Sequence, residues 1–124
     1  MSALADSPTA YVAALLELYV ELPDTPLRAS VADQWLARRL HDDGVPLNVV
    51  ETALLLGSLR RLVRPEDAPP LSQIRSLAYF RPVIDELQAH PASDGYLDYL
   101  RLKLRRASAA LPADARKSTL FDDR

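Results

Sequence analysis

The chain has 124 residues, a formal net charge of −2 and no cysteine. One domain of that size holds a core that hides roughly two-thirds of its extended surface, while the missing thiols exclude disulfides and thiolate metal centres and fit a reducing cytoplasm. With 48% hydrophobic and 26% charged residues it reads as globular rather than disordered, and no basic start or run of about 18 apolar residues marks a secretory leader or a membrane span.

Helical periodicity recurs along the sequence and no stretch alternates as a strand would. The first helix is expected to start at the cap Ser7, with Pro8 in its first turn, and to stop at Pro23. Val12, Leu15, Leu16 and Tyr19 share one face, with Tyr11, Leu18 and Leu22 beside it. Pro23 and Pro26 make a rigid loop. Ser30-Val31-Ala32-Asp33 is a capping box with Asp in the usual Glu position. It opens a second helix that runs to about Asp43, with Ala32, Trp35, Leu36 and Leu40 inward and Gly44 as a left-handed stop.

A third helix over about Pro46 to Val63 is the most apolar segment. Val49, Val50, Ala53, Leu54, Leu56, Leu59 and Leu62 cover most of its circumference, leaving Asn48, Glu51, Thr52 and Ser58 as a narrow polar strip. Such a helix belongs at the centre of a bundle, and Gly57 within it admits a close neighbour. After the proline-rich loop that follows Arg64, a turn at Ser76–Phe80 runs into a fourth helix ending near Gln88, with Pro82 early in it. Pro91 to Asp94 break the chain again. A fifth helix follows, with Leu97, Leu100, Leu104 and Ala107 inward, and Pro112 ends it. The expected fold is therefore an all-α bundle of about five helices over residues 1–112, the third central, followed by a mobile polar tail over 113–124 whose apolar patch is Leu120-Phe121.

Catalytic signatures are lacking. His41-Asp42-Asp43 are adjacent on a helix and point in different directions, so they do not converge on one ion. His41 and His90 both sit where a helix C-terminus favours positive charge. Three scattered glycines build no phosphate-cradling loop. No enzyme, metal or cofactor is expected. Tyr11, Tyr19 and Trp35 read as core residues, Tyr79-Phe80 as a core plug rather than a base-stacking pair, and Tyr96 and Tyr99 suit either role.

Charge is unevenly placed. Residues 1–27 hold Asp6, Glu17, Glu21 and Asp24 and no Lys or Arg. Basic residues crowd the end of the third helix (Arg60, Arg61, Arg64), the next turn (Arg75, Arg81) and the fifth helix (Arg101, Lys103, Arg105, Arg106). If the third and fifth helices bring these clusters together, the face suits the backbone of DNA or RNA, with Arg as the better planar partner for phosphate. A second reading comes from another class: an adaptor or oligomerising subunit. Its acidic first helix would meet the basic helices of another copy or of a larger protein, with Tyr11, Leu18 and Leu22 as an exposed anchor.

Gly44-Val45-Pro46-Leu47 opening an apolar helix that ends in Arg60-Arg61, then Ile74-Arg75-Ser76-Leu77-Ala78-Tyr79-Phe80 leading into Pro82-Val83-Ile84-Asp85-Glu86-Leu87, resembles the helical DnaD-like domains of bacterial replication-initiation and primosomal proteins. It is also similar to helical segments of plasmid or phage replication initiators. The resemblance covers about a third of the chain, and the family's tyrosine–isoleucine–tryptophan signature is approximated by Tyr79, Ile84 and Leu87. It implies a small accessory protein of replication, or of a mobile-element or defence system, acting on nucleic acid or on a replication, recombination or nuclease protein.

Overall fold

The computed structural model describes residues 7–109. Among them are five α-helices and one short 3-10 turn: α1 (Pro8–Val20), α2 (Val31–Asp42), α3 (Leu47–Leu62), the turn Leu77–Phe80, α4 (Arg81–Ala89) and α5 (Tyr96–Ala109). No described residue lies in a strand, and none of these helices is long and apolar enough to cross a membrane. The all-helical bundle expected from periodicity is the one that forms. The tail over 113–124, with Leu120-Phe121, lies outside the described residues.

Local chemistry sets the boundaries. Ser7 Oγ accepts the Ala10 N–H at 3.1 Å and Pro8 takes the first helical position of α1. At the other end Thr25 Oγ1 donates to the carbonyls of Tyr19 (2.9 Å) and Leu22 (2.7 Å). These bonds satisfy end groups that a helix leaves open, and α1 stops at Val20, before Pro23 is reached. The capping box of α2 closes as the sequence predicts: Ser30 Oγ accepts the Asp33 N–H and Asp33 Oδ2 accepts the Ser30 N–H, each at 3.0 Å. Gly44 ends that helix at φ +79°, a conformation that L side chains rarely adopt. Ser76 Oγ accepts the Ala78 N–H and starts the turn, and Pro82 occupies the first turn of α4, where no N–H is needed.

α3 packs against α1, α4, α5 and the 3-10 turn. Val50, Ala53 and Leu54 of α3 meet Leu15 and Tyr19 of α1, Phe80 and Ile84, and Leu100 in a single buried cluster. α1 and α2 run antiparallel: the rings of Tyr11 and His41 meet edge-on at 5.2 Å, and Tyr19 lies near Asp33. α3 and α5 are antiparallel too, since Glu51 pairs with Arg101 while Arg60 lies near Tyr96. Gly57 admits its neighbour as expected: a Cβ there would lie 2.8 Å from two atoms of the Phe80 ring.

Two helix faces differ from the sequence reading. The inward side of α2 is Asp33, Ala37 and Leu40 with Leu36 half-buried, whereas Ala32 is exposed and Trp35 is 71% exposed. The cause is Asp33, whose Oδ1 accepts the Leu77 N–H at 2.9 Å and so turns that edge of the helix into the core. Trp35 lies two residues on, about 200° around the helix. In α3 the supposed polar strip is partly interior: Thr52 and Ser58 are both buried. Thr52 Oγ1 donates back to the Asn48 carbonyl at 2.6 Å, the usual way a hydroxyl is accommodated inside a helix.

Ser58 Oγ is buried without a hydrogen-bond partner among the described residues. Ser58→Ala is therefore expected to leave stability unchanged or to raise it by up to about 1 kcal/mol, because an unmet hydroxyl is removed at little loss of volume. Urea midpoints check this; a drop of similar size would contradict it.

Two buried phenols predict an alkaline limit. Tyr11 donates its O–H to the Val45 carbonyl at 2.7 Å, and burial pushes its pKa up to about 12. Burial and then the charge of Asp33 raise that of Tyr19 as well. An unfolded tyrosine ionises near pH ~10. Above that value the folded chain binds more protons than the unfolded one, so stability falls with rising pH, by about 1.4 kcal/mol per unit for each such group. Below it the stabilisation is fully present. Unfolding free energies measured from pH ~9 to ~12 should decline, less steeply in Tyr11→Phe; a flat profile would contradict the burial of these rings.

Candidate functional site

The cations singled out from the sequence do not form one face. Because α3 and α5 are antiparallel, the arginines at the end of α3 lie near the start of α5, while Lys103, Arg105 and Arg106 lie toward the opposite end. Several are also matched to carboxylates. Arg60 makes a two-pronged contact with Glu86 at 2.7 and 3.0 Å, which holds the Glu86 carboxyl below its ordinary range. Arg81 meets Asp85 at 3.4 Å. Arg101 grips Glu51 with two bonds of 2.9 Å and reaches Asp98 at 3.0 Å.

Arg61 has a structural task. Its side chain is 7% exposed. The guanidinium donates to the Ser72 carbonyl at 2.7 Å and to Tyr79 Oη at 3.2 Å, lies 3.4 Å from Asp24 and sits 5.3 Å from the Tyr79 ring centre. It pins the loop after α1, the segment before the turn and the end of α3 together, and the Ile74 N–H to the Asp24 carbonyl (2.9 Å) closes the same junction. Arg64 donates to the Pro69 carbonyl at 2.8 Å. Arg75, Lys103, Arg105 and Arg106 are exposed and make no ion pair with any described residue.

The apolar anchor expected on the first helix is also differently placed. Tyr11 and Leu22 are core residues and Leu18 is half-buried against the core. Tyr11 is drawn in by its bond to Val45, and Leu22 by the loop that folds back after α1. Tyr79-Phe80 divides: Phe80 is fully buried as a plug, while Tyr79 is exposed and serves Arg61. His41 Nδ1 lies 3.1 Å from Asp42, whose carboxyl is held low by that bond and by Arg38. Asp43 pairs with Arg39. The three therefore do not converge, and no group of three metal-ligating side chains is found among the described residues.

What the structure exposes instead is a groove of about 500 Å³ between α1 and α2. Val12, Ala13 and Leu16 line it from α1, Val31, Gln34, Trp35 and Arg38 from α2, and Pro8 and Thr9 close one end. Trp35 and Val31 are 71% and 66% exposed, one turn apart on its rim. On the α1 side Glu17 and Glu21 continue the row that begins at Ala13, one and two turns on; both are exposed and pair with no described cation. The sequence carried a signal for this site. Val31, Trp35 and Arg38 repeat at helical spacing beside, not on, the Asp33–Ala37–Leu40 row, so α2 bears two apolar stripes where a simple surface helix has one.

A second exposed stripe lies on α5. Tyr99 (54% exposed) and Leu102 (41%) share it with Lys103 and Arg106 at i, i+3, i+4 and i+7. Lys103 Nζ lies 5.9 Å from the Tyr99 ring centre, and Tyr96 stacks on Tyr99 at 6.1 Å. No protein-family model, curated protein or solved structure matches the chain.

Proposed function

We propose that this protein is an interaction module rather than an enzyme, and that its working surface is the groove between α1 and α2. The observation that carries the reading is the exposure of Trp35 and Val31 over a groove lined by Val12 and Leu16. A large aromatic left in water beside other apolar side chains is the usual anchor of a protein interface, because its burial supplies much area at small entropic cost. Glu17 and Glu21, which pair with no cation among the described residues, set the partner's chemistry: an amphipathic helix whose apolar residues are flanked by Lys or Arg.

Trp35 is the chain's single tryptophan, so its emission reports the groove without labels. Titration with a synthetic helical peptide of leucine and lysine should shift that emission to the blue and saturate. A peptide of leucine and glutamate should bind at least about tenfold more weakly, and Val31→Asp, on an exposed side chain, should abolish the shift. Emission that stays at the position of a hydrated indole with the leucine–lysine peptide would remove the reading.

A second reading keeps the phosphate backbone as the partner, on a smaller surface. Lys103 lies over the exposed Tyr99 ring, Arg105 and Arg106 follow it along α5, and none of the three pairs with a carboxylate among the described residues, a combination that suits a single strand through charge and stacking. It would fit an accessory role in replication or on a mobile element. Three phosphate contacts give log K a slope of about −2 against log salt. A gel shift that fails at low salt, or that persists unchanged in Lys103→Glu/Arg106→Glu, would remove it.

A further inference from the structure

We infer that the groove between α1 and α2 takes the outer face of α5 from a second copy of this chain. The inference rests on the docking reading above and names its partner. The groove calls for apolar anchors on a helix with basic residues beside them, and α5 carries that set on its solvent side: Tyr99 and Leu102, with Lys103 and Arg106 in the same stripe and Arg105 adjoining. Glu17 and Glu21, which follow the groove-lining Leu16 along the chain, and the basic side chains on the stripe pair with no oppositely charged group among the described residues. Lengths agree as well. Val31 to Arg38 on the rim and Tyr99 to Arg106 on the stripe each cover seven helical steps, about 10 Å.

One copy does not satisfy itself. α5 lays Leu100 and Leu104 against the core and turns Tyr99 and Leu102 outward, while Trp35 and Val31 of α2 also point outward. The two surfaces meet only between molecules. Groove meets helix, so the contact either forms twice about a two-fold axis or repeats head to tail. A helix laid in one groove buries less than the roughly 1,000 Å² that marks a durable interface, so the association is weak and rises with concentration.

Sedimentation and light scattering of the intact chain over a wide concentration range test this, with Trp35 emission recorded on the same samples. The expected result is a mass that grows with concentration, a blue shift that tracks it, and a weakening at high salt. Glu17→Lys/Glu21→Lys and Lys103→Glu/Arg106→Glu should each lower self-association at least about tenfold. Mixing these two variants should restore it, because the reversed groove of one then faces the reversed helix of the other. All four positions are exposed, and circular dichroism confirms that each variant is folded.

A chain that remains monomeric throughout overturns the inference, as does self-association that the mixed variants fail to regain. The two readings separate cleanly. If the leucine–lysine peptide shifts Trp35 while the chain stays monomeric, the groove is a docking site for another protein and self-pairing is wrong. If neither the peptide nor concentration moves Trp35, both readings fall.

Discussion

Asp33→Ala is expected to destabilise the fold by about 3–5 kcal/mol, since it removes two hydrogen bonds to a charged acceptor worth about 1.5–3 kcal/mol each. The carboxylate is 1% exposed and each oxygen is used: Oδ2 takes the Ser30 N–H at 3.0 Å and Oδ1 takes the Leu77 N–H at 2.9 Å. One side chain thus caps α2 and ties it to the 3-10 turn more than forty residues on. Its charge sits at the positive end of α2, which offsets part of the desolvation. Alanine leaves two backbone donors without acceptors and opens a cavity beside Tyr19. Asp33→Asn keeps the volume but offers one acceptor oxygen for two donors, so a loss of about 1–3 kcal/mol is expected there. Urea unfolding of both variants checks this; an alanine variant within about 1 kcal/mol of the parent would show that the turn does not depend on this bond.

The second large effect concerns Phe80 and Gly57. Phe80 is fully buried, meets Tyr19 edge-on at 6.3 Å and lies over the backbone of Gly57. Phe80→Ala should cost about 3–5 kcal/mol through lost burial and the cavity it leaves. Gly57→Ala should also destabilise, by about 1–3 kcal/mol, although alanine is the better helix former by about 1 kcal/mol. The new methyl meets the ring at 2.8 Å, and a ring packed on all sides has nowhere to move. The two changes should be strongly non-additive: once the ring is gone the methyl has room, and Gly57→Ala then becomes neutral or favourable. Additive losses would mean that the ring does not rest on the glycine.

The helices and their ends were legible because they are local. Ser7, the Ser30/Asp33 box, Gly44 and Pro82 each act within a few residues of themselves, and each marks a boundary of the kind expected, while Pro46, expected in the first helical position, is the extended cap one residue before it. The centrality of α3 was legible from an apolar surface too wide for any outer helix. The face of α2 was not, because it is set by Asp33 reaching the Leu77 amide, a contact between residues that no local pattern connects. A polar residue drawn inward rotated the helix and put Trp35, the largest apolar candidate for the core, into solvent.

The charged surface failed to be legible for a related reason. A run of arginines reports how many cations a segment has and not what they will meet. Glu51, Glu86 and Asp24 come from other helices or loops, and only tertiary packing brings Glu51 to Arg101 and Glu86 to Arg60. Arg61 is lost to the interior for the same reason. What survives as an exposed cluster is the end of α5, with Lys103, Arg105 and Arg106 all open to solvent.

The groove at Trp35 is tested most directly by mapping amide chemical shifts of the isotope-labelled chain during titration with the leucine–lysine helical peptide. Perturbations that saturate together and concentrate on Thr9 to Leu16 and Val31 to Arg38, with the Trp35 indole N–H among the largest, are the predicted result. Perturbations confined to other elements, or none at peptide concentrations where the indole should be covered, would contradict it.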